Sequence, residues 1–398
     1  MTRSRIDAFL LAQEGMENIT RQSIEAMQLE KLNGLLEREK RRQGFYKDLP
    51  ERLESLTALS ALPFTAEAEL AERGGEMLLL SQGQVQRVVS AVTSGTTGAA
   101  KRVFYTGGDC DNTVALFAAG LGELVFPGDR VMICMPFSGP FGLGELICAA
   151  IESLGAVALR LGAALSYGEL RQVLDRERPD CFVGMPTALL SLLRACGRGS
   201  LKRALVSGDA CPETVTAACE AILGSRLFPH YGSREMALGG AICCPAHEGM
   251  HLRENHVIAE IVDAGGRPLE NGQWGELVIT TVGMEAQPLI RYRTGDITRI
   301  LPGPCPCGSQ VLRLDRVRRS GGEGDIGALD ERLFALPWLV DYRASKREGD
   351  LIIEALGTED LDEGALRALC PEARELSLRW VTDGDRPLYP GKRTIMIS

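Results

Sequence analysis

The chain is poor in histidine. Four occur in 398 residues, at positions 230, 247, 251 and 256, so no imidazole stands elsewhere for general acid–base catalysis. No window of about 18 apolar residues is present, which argues against a membrane-spanning helix. A basic excess is also missing: 44 Lys and Arg against 53 Asp and Glu leave a net charge of −9. That balance disfavours nucleic acid or an anionic membrane as partner. The opening stretch MTRSRIDAFLLAQEGMEN carries an apolar run too short for a secretory signal. What the chain does have is 45% apolar residues, enough for a real core, and a length that suits two or three folding units at about 150 residues each. Cys134, Cys148, Cys181, Cys196 and Cys219 sit singly among apolar neighbours. They read as reduced core residues of a cytoplasmic protein.

Periodicity organises the rest. Residues 17–42 follow a helical pattern with Leu29, Leu32 and Leu36 on one face. A strand over 85–92 leads into a Gly/Thr/Ser loop. From 130 to 232 the apolar runs RVMICMPF, AVALRLG, CFVGMP, RALVSGD and RLFPHYG alternate with helical stretches over 144–154, 167–178, 187–196 and 213–223. Near-continuous apolar strands alternating with helices predict a doubly wound parallel sheet, with ligands beyond the carboxyl ends of its strands. Strands over 257–263, 275–281 and 289–292, separated by turns at Gly265-Gly266 and Asn271-Gly272, predict an antiparallel β subdomain. A Gly-rich break at 320–325 precedes a last segment with a helical run over 329–335 and strands over 350–355 and 376–381. The expected class is therefore α/β. A large domain, 1–319, holds the parallel sheet and the β subdomain (about 245–315), and a small mobile α+β domain covers 320–398.

The strongest single motif is Thr93-Ser94-Gly95-Thr96-Thr97-Gly98-Ala99-Ala100-Lys101. Two glycines permit a tight turn, and side-chain hydroxyls, amide N–H groups and one lysine can wrap phosphate oxygens. It is not a Walker loop, since Ala100 precedes the lysine and Arg102 follows it. This stretch resembles the phosphate loop of the acyl-adenylate-forming superfamily. Three further stretches occur in the order of that superfamily: His230-Tyr231-Gly232-Ser233-Arg234-Glu235, Gly275-Glu276-Leu277, and Tyr292-Arg293-Thr294-Gly295-Asp296. The run from Cys244 to His251, then EAQPLIRYRTGD followed by PCPCG, is similar to the phenylacetate–coenzyme A ligase branch.

The resemblance implies roles. Thr93, Ser94, Gly95, Thr96, Thr97, Gly98 and Lys101 would hold the phosphates of ATP, with Thr97 counted among the catalytic groups. Tyr231, with Gly232, would pack against adenine, and Gly208-Asp209 would line the same base pocket. Glu235 would bind Mg²⁺, a hard cation that prefers oxygen ligands. Ser233 and Arg234 would flank the nucleotide. Asp296 would accept hydrogen bonds from the ribose hydroxyls, and Arg316 or Arg319 would lie near ribose and phosphate. Lys392, in a Gly-Lys near the C-terminus, resembles the mobile-domain lysine of these enzymes. The expected reaction needs no histidine, because a carboxylate already carries the charge with which it attacks phosphorus. A small carboxylic acid, aryl or arylacetic, would form an acyl-adenylate and AMP would then be displaced by coenzyme A. Two alternatives stand beside it: transfer to a carrier thiol or an amine, and a catalytically inactive nucleotide- or acyl-CoA-binding module. A homodimer is left open. Phe137 and Phe141 could line an acyl pocket or pack in the core.

Cys244, His251, Cys305 and Cys307 supply three soft sulfurs and one imidazole, a set suited to a structural Cys₃His zinc site. Cys243 and His247 are alternative ligands. Three features depart from the family pattern. Arg234 stands where Thr or Ser is usual, the stretch 318–325 lacks the usual hinge pair, and the C-terminal domain is short.

Overall fold

The computed structural model describes residues 4–91, 101–319, 325–358, 361–389 and 391–397. Two compact units emerge: one combines residues 1–123 with 230–320, the other 124–229 with 321–398. Among the described residues no helix is long and apolar enough to cross a membrane.

The first unit begins with helices α1 (Arg5–Glu14) and α2 (Arg21–Arg42). Thr20 caps α2, its hydroxyl accepting from the Ser23 amide, while Lys40, Arg41 and Arg42 lie at the carbonyl-rich end where cations are favoured. The helix thus starts later than the charge pattern suggests, at the first residue after a capping side chain. Leu32, Leu35 and Leu36 bury one face against Tyr46, Leu59, Leu62, Ile258 and Ile290. After α3 (Glu67–Arg73), β1 (Arg87–Ala91) pairs antiparallel with β2 (Lys101–Tyr105). In β2 the two-residue alternation turns Lys101, Val103 and Tyr105 inward and leaves Arg102 exposed. Helix α4 (Gly107–Leu121) closes this stretch.

The second unit carries the parallel sheet. Its strands are β3 (Arg130–Cys134), β4 (Val157–Arg160), β5 (Cys181–Gly184), β6 (Arg203–Val206) and β7 (Phe228–Tyr231). The connecting helices are α5 (Leu143–Ser153), α6 (Tyr167–Glu177), α7 (Pro186–Cys196) and α8 (Glu213–Leu223). Strand order is β4-β3-β5-β6-β7, all parallel, with β7 joining through Phe228 and Pro229. The chain moves outward from β3 to β4, then returns past β3 to β5. With right-handed crossovers this reversal puts α5 on one face and the later helices on the other, and makes β3/β5 the switch point.

Residues 230–319 return to the first unit. His230 and Tyr231 pair antiparallel with β8 (Ala241–Cys243), which pairs with β9 (Met250–Leu252). A separate antiparallel sheet holds β10 (Ile258–Val262), β11 (Gly275–Thr280) and β12 (Tyr292–Thr298). Short strands β13 (Arg313–Leu314) and β14 (Arg318–Arg319) add to β9 and β12. The third strand of this subdomain therefore starts at Tyr292, not at 289. Thr294-Gly295-Asp296 forms a register irregularity inside it, between the pairs Arg293–Val278 and Ile297–Glu276.

The C-terminal segment has helices α9 (Gly327–Leu333) and α10 (Glu363–Leu369), and strands β15 (Leu339–Arg347), β16 (Asp350–Gly357), β17 (Ala373–Trp380) and β18 (Met396–Ile397), ordered β17-β16-β15-β18. Strand β15 and helix α10 carried no clear sequence signal. Phe334, Trp338, Leu339 and Val340 join Leu189, Leu193, Val215 and Cys219 of α7 and α8 in one hydrophobic core. Polar contacts reinforce this packing. Arg194 donates to the Leu339 and Phe334 carbonyls, Ser191 to the Val340 carbonyl, and the Glu331 carboxylate accepts from the first amides of α8.

Candidate active site

Strand β2 organises the centre of the first unit. Its inward Lys101 places Nζ 2.5 Å from Glu235 Oε1, 3.0 Å from Glu67 Oε1 and 3.3 Å from the Tyr292 hydroxyl. Two inward-facing positions further along the strand, Tyr105 donates its hydroxyl to the Arg234 carbonyl at 2.6 Å. One strand thereby holds both the lysine and the short turn Arg234–Met236 that presents Glu235. That turn is tight: a Cβ on Gly232 would sit 2.1 Å from the Leu238 carbonyl oxygen, so only glycine fits there.

The electrostatics follow from burial. Glu235 is 5% exposed. Burial pushes its pKa up, but the Lys101 charge and hydrogen bond outweigh this and hold it below the ordinary carboxylate range. Burial likewise pulls Lys101 down, and Glu235, Tyr292 and Glu67 together carry it above the usual lysine value. One cation between two carboxylates leaves the cluster one positive charge short. An ionised hard oxygen ligand in such a place fits Mg²⁺ together with phosphate oxygens.

At the end of β7, the Tyr231 hydroxyl donates to Asp296 Oδ2 at 2.8 Å. Burial raises the Tyr231 pKa, and the adjacent Asp296 charge raises it further, so the phenol stays protonated. The Thr294 hydroxyl accepts from the Asp296 amide. Across the β12–β14 ladder Asp296 pairs with Arg319, and Arg316 lies three residues before it, just ahead of the strand. Arg234 is exposed and meets the site through its backbone carbonyl.

Thr93, Ser94, Gly95, Thr96, Thr97 and Gly98 lie outside the described residues. Sequence reasoning missed Glu67 and Tyr292. Tyr292 belongs to the quoted YRTGD run and could have been singled out; Glu67, a half-exposed helix residue, carried no signal. In the second unit, Gly208 follows β6 with φ +88°, a conformation that favours glycine. The neighbouring Asp209 carboxylate accepts from the Ala210 and Arg393 amides. Lys392 is exposed and lies near enough for its charge to oppose the larger effect of burial, which raises the Asp209 pKa. A cavity of about 20 Å³ opens at the switch point, between Cys134, Phe182, Met185 and Tyr389. It has room for about one water molecule, so it is no acyl pocket in this conformation.

The cysteine–histidine group also forms. Ligand atoms of Cys244, His251, Cys305 and Cys307 all lie within 4.8 Å of one another. The Cys244 and Cys305 sulfurs are 3.6 Å apart, and Cys307 Sγ is 3.5 Å from His251 Nε2. A tetrahedral zinc requires S···S edges of about 3.8 Å and S···N edges of about 3.5 Å, so the donor set fits in chemistry and size. Burial lowers the His251 pKa to about 4, keeping the ring in the neutral form a metal needs. Cys243 and His247 form a separate contact at 3.7 Å.

Residues 52–285 match the family described as AMP-binding enzyme. The chain belongs to the AMP-binding enzyme family. Relatives within it include phenylacetate–coenzyme A ligase of Aromatoleum evansii, 31% identical over 325 residues, 76% of this chain and 72% of that protein. The phenylacetate–coenzyme A ligase of Escherichia coli (strain K12) is 30% identical over 292 residues, 70% of this chain and 64% of that protein. Among solved structures, a 2-hydroxyisobutyryl-CoA ligase in its postadenylation state has the same fold. Its TM-score is 0.77 at 19% identity, over 94% of this chain and 89% of that one. As a member of the AMP-binding enzyme family, the chain brings three separate sequence motifs into two side-chain contacts, Lys101–Glu235 and Tyr231–Asp296.

Proposed function

We propose that this member of the AMP-binding family is an ATP-dependent acid–thiol ligase. It activates an aryl or arylacetic acid as an acyl-adenylate and transfers the acyl group to coenzyme A. The observation that carries the reading is the buried Lys101–Glu235 pair beside Tyr231–Asp296. It is a preorganised set for a nucleotide: cation for phosphate, carboxylate for a metal ion, phenol for a base, carboxylate for a diol. The phenylacetate ligases named above, and Phe137 and Phe141 just after β3, support the choice of an aromatic acid.

In the first step a carboxylate oxygen attacks the α-phosphorus and pyrophosphate leaves. No proton moves, so positioning and charge neutralisation do the work. Thr93, Ser94, Gly95, Thr96, Thr97 and Gly98 would wrap the phosphates through hydroxyls and amides. Lys101 would release part of its hold on Glu235 and turn to phosphate oxygens. Glu235 would hold Mg²⁺, which supplies charge neutralisation on the phosphates. Asp296 would take the ribose hydroxyls while Tyr231 packs on adenine, and Lys392 would steady the attacking carboxylate and the α-phosphate. In the second step the thiol of coenzyme A attacks the acyl carbon and AMP leaves with the bonding pair, the thiol proton passing to solvent or AMP. Movement of segment 320–398 between the steps would require the Arg194, Ser191 and Glu331 contacts to open. Cys244, His251, Cys305 and Cys307 would hold a structural zinc, with no ligand position left for water. None of the twelve cysteines is in a disulfide, which suits a reducing, cytoplasmic setting.

Carboxylate-dependent ATP–pyrophosphate exchange over a panel of aromatic and aliphatic acids tests adenylation; silence across the panel would favour a nucleotide-binding module instead. Exchange without thioester formation would move the acceptor to a carrier thiol or an amine, and sedimentation decides whether a homodimer forms.

A further inference from the structure

The residue after Lys392 is buried more deeply than its charge would suggest. Arg393 is 6% exposed overall. Its Nε lies 3.1 Å from Asp330 Oδ1, its Nη1 2.8 Å from Asp341 Oδ1, and its Nη2 donates to the Tyr342 carbonyl at 3.1 Å. The guanidinium also lies over the rings of Tyr389, Tyr342 and Phe334, at 4.5, 4.6 and 5.1 Å. Two buried carboxylates and three aromatic faces around one arginine form a socket with a fixed orientation, which a planar fork fills and a single ammonium does not.

The socket grips the tail at several points. Asp341 also accepts from the Leu388 amide through its other oxygen, at 2.7 Å. The Tyr389 hydroxyl accepts from the Ala344 amide and donates to the Thr394 carbonyl. The Arg393 amide donates to Asp209 Oδ2 at 2.8 Å, just beyond the carboxyl end of β6. Lys392 is thus flanked by Tyr389 and Arg393, both anchored, and its own side chain stays exposed near Asp209.

We infer that Arg393 is a positioning residue for Lys392: its socket at Asp330, Asp341 and the aromatic rings fixes the tail so that the neighbouring lysine is presented beside Asp209. The inference rests on the acid-activating reading only for the step that Lys392 serves. A lysine whose carrier segment shifts by about 1 Å loses on the order of 10²-fold in the step it serves. The thioester step, started from a synthetic acyl-adenylate, has no attack on phosphorus for that lysine to assist.

The test uses the full chain with Arg393→Lys and Arg393→Met; the lysine variant keeps the charge should the methionine variant not fold. In Arg393→Lys, exchange of pyrophosphate into ATP should fall about 30- to 100-fold in kcat, while thioester formation from the preformed adenylate stays within about twofold. Hydrogen exchange at the Leu388 and Arg393-position amides should speed up at least tenfold, without change over the strands β15 and β16. Equal loss in both half-reactions, or unchanged exchange rates of either kind, overturns the positioning role. If wild-type protein shows no ATP–pyrophosphate exchange, the acid-activating reading fails, and hydrogen exchange in the tail still decides whether Arg393 holds it.

Discussion

Removing the lysine from the Lys101–Glu235 pair tests whether that pair is truly dry. The side chains are 13% and 7% exposed, so solvent screening is small. Lys101→Met leaves a buried carboxylate without its cation, a change that costs about 3–5 kcal/mol. In a unit of roughly 210 residues this corresponds to a drop of about 6–20 °C in Tm. Glu235→Gln should cost less, about 1–2 kcal/mol, because Lys101 keeps Glu67 and the Tyr292 hydroxyl. The double variant should recover most of the loss, since the penalty belongs to the stranded charge.

The pH dependence separates this from simple packing damage. In the native pair the Glu235 pKa is lowered. Its stabilisation is therefore present above the unfolded value of about 4.5 and lost as pH falls through the lower folded value. Without Lys101, burial, the largest effect, is opposed only by the weaker hydrogen bonds from the Ser233 side chain and the backbone, and the folded pKa rises. The variant must then lose stability as pH rises from about 4.5 through that higher value, and regain it toward pH 5 as the carboxyl takes up a proton. Thermal unfolding of the four proteins at pH 5 and pH 7.5, followed by circular dichroism, measures this. A Lys101→Met protein melting within 2 °C of wild type at pH 7.5, or a double variant no better than that single one, would refute the reasoning.

Other outcomes follow from single contacts. Tyr231→Phe deletes the donor to Asp296, a hydrogen bond to a charged group worth about 1.5–3 kcal/mol; KM for ATP should rise about tenfold or more with a smaller change in kcat, read by steady-state kinetics. Freshly purified protein should contain one zinc per chain by elemental analysis. Cys305→Ser should lose that metal and lower Tm, whereas Cys243→Ser should keep it. Arg291, 2% exposed, forks onto Glu260 and donates to the Ser60 and Leu62 carbonyls. Arg291→Met should therefore lower Tm by several degrees without altering the ratio of the two half-reactions.

Much of this protein was legible from residue order alone. Apolar runs of four to eight residues separated by amphipathic stretches can bury both faces only as strands of a helix-covered sheet, so β3 to β7 and their helices follow from pattern. The short motifs were legible for a related reason, because phosphate, ribose and metal each demand particular donor types at close spacing. Where local pattern is weak the reading slipped. Lys101 was expected in a loop, yet it begins strand β2, and only pairing with β1 turns it inward. The strand expected over 289–292 runs instead from Tyr292 to Thr298 and takes in Asp296, which lies at an irregular register and opposite Arg319.

Tertiary structure decided what no spacing announces. Glu67 and Tyr292 reach Lys101 from elements 34 residues before and 191 residues after it. The segment after 320 shares its core with 124–229 because Phe334, Leu339 and Val340 find their apolar partners on α7 and α8 rather than among themselves. Arg393 reads as one more charged residue of a polar tail, and only the fold surrounds it with two carboxylates and three rings. Local sequence determines which backbone forms and which chemistry is on offer. Long-range packing determines which of those groups lose water together, and burial is what turns an ordinary lysine, glutamate or arginine into part of a site.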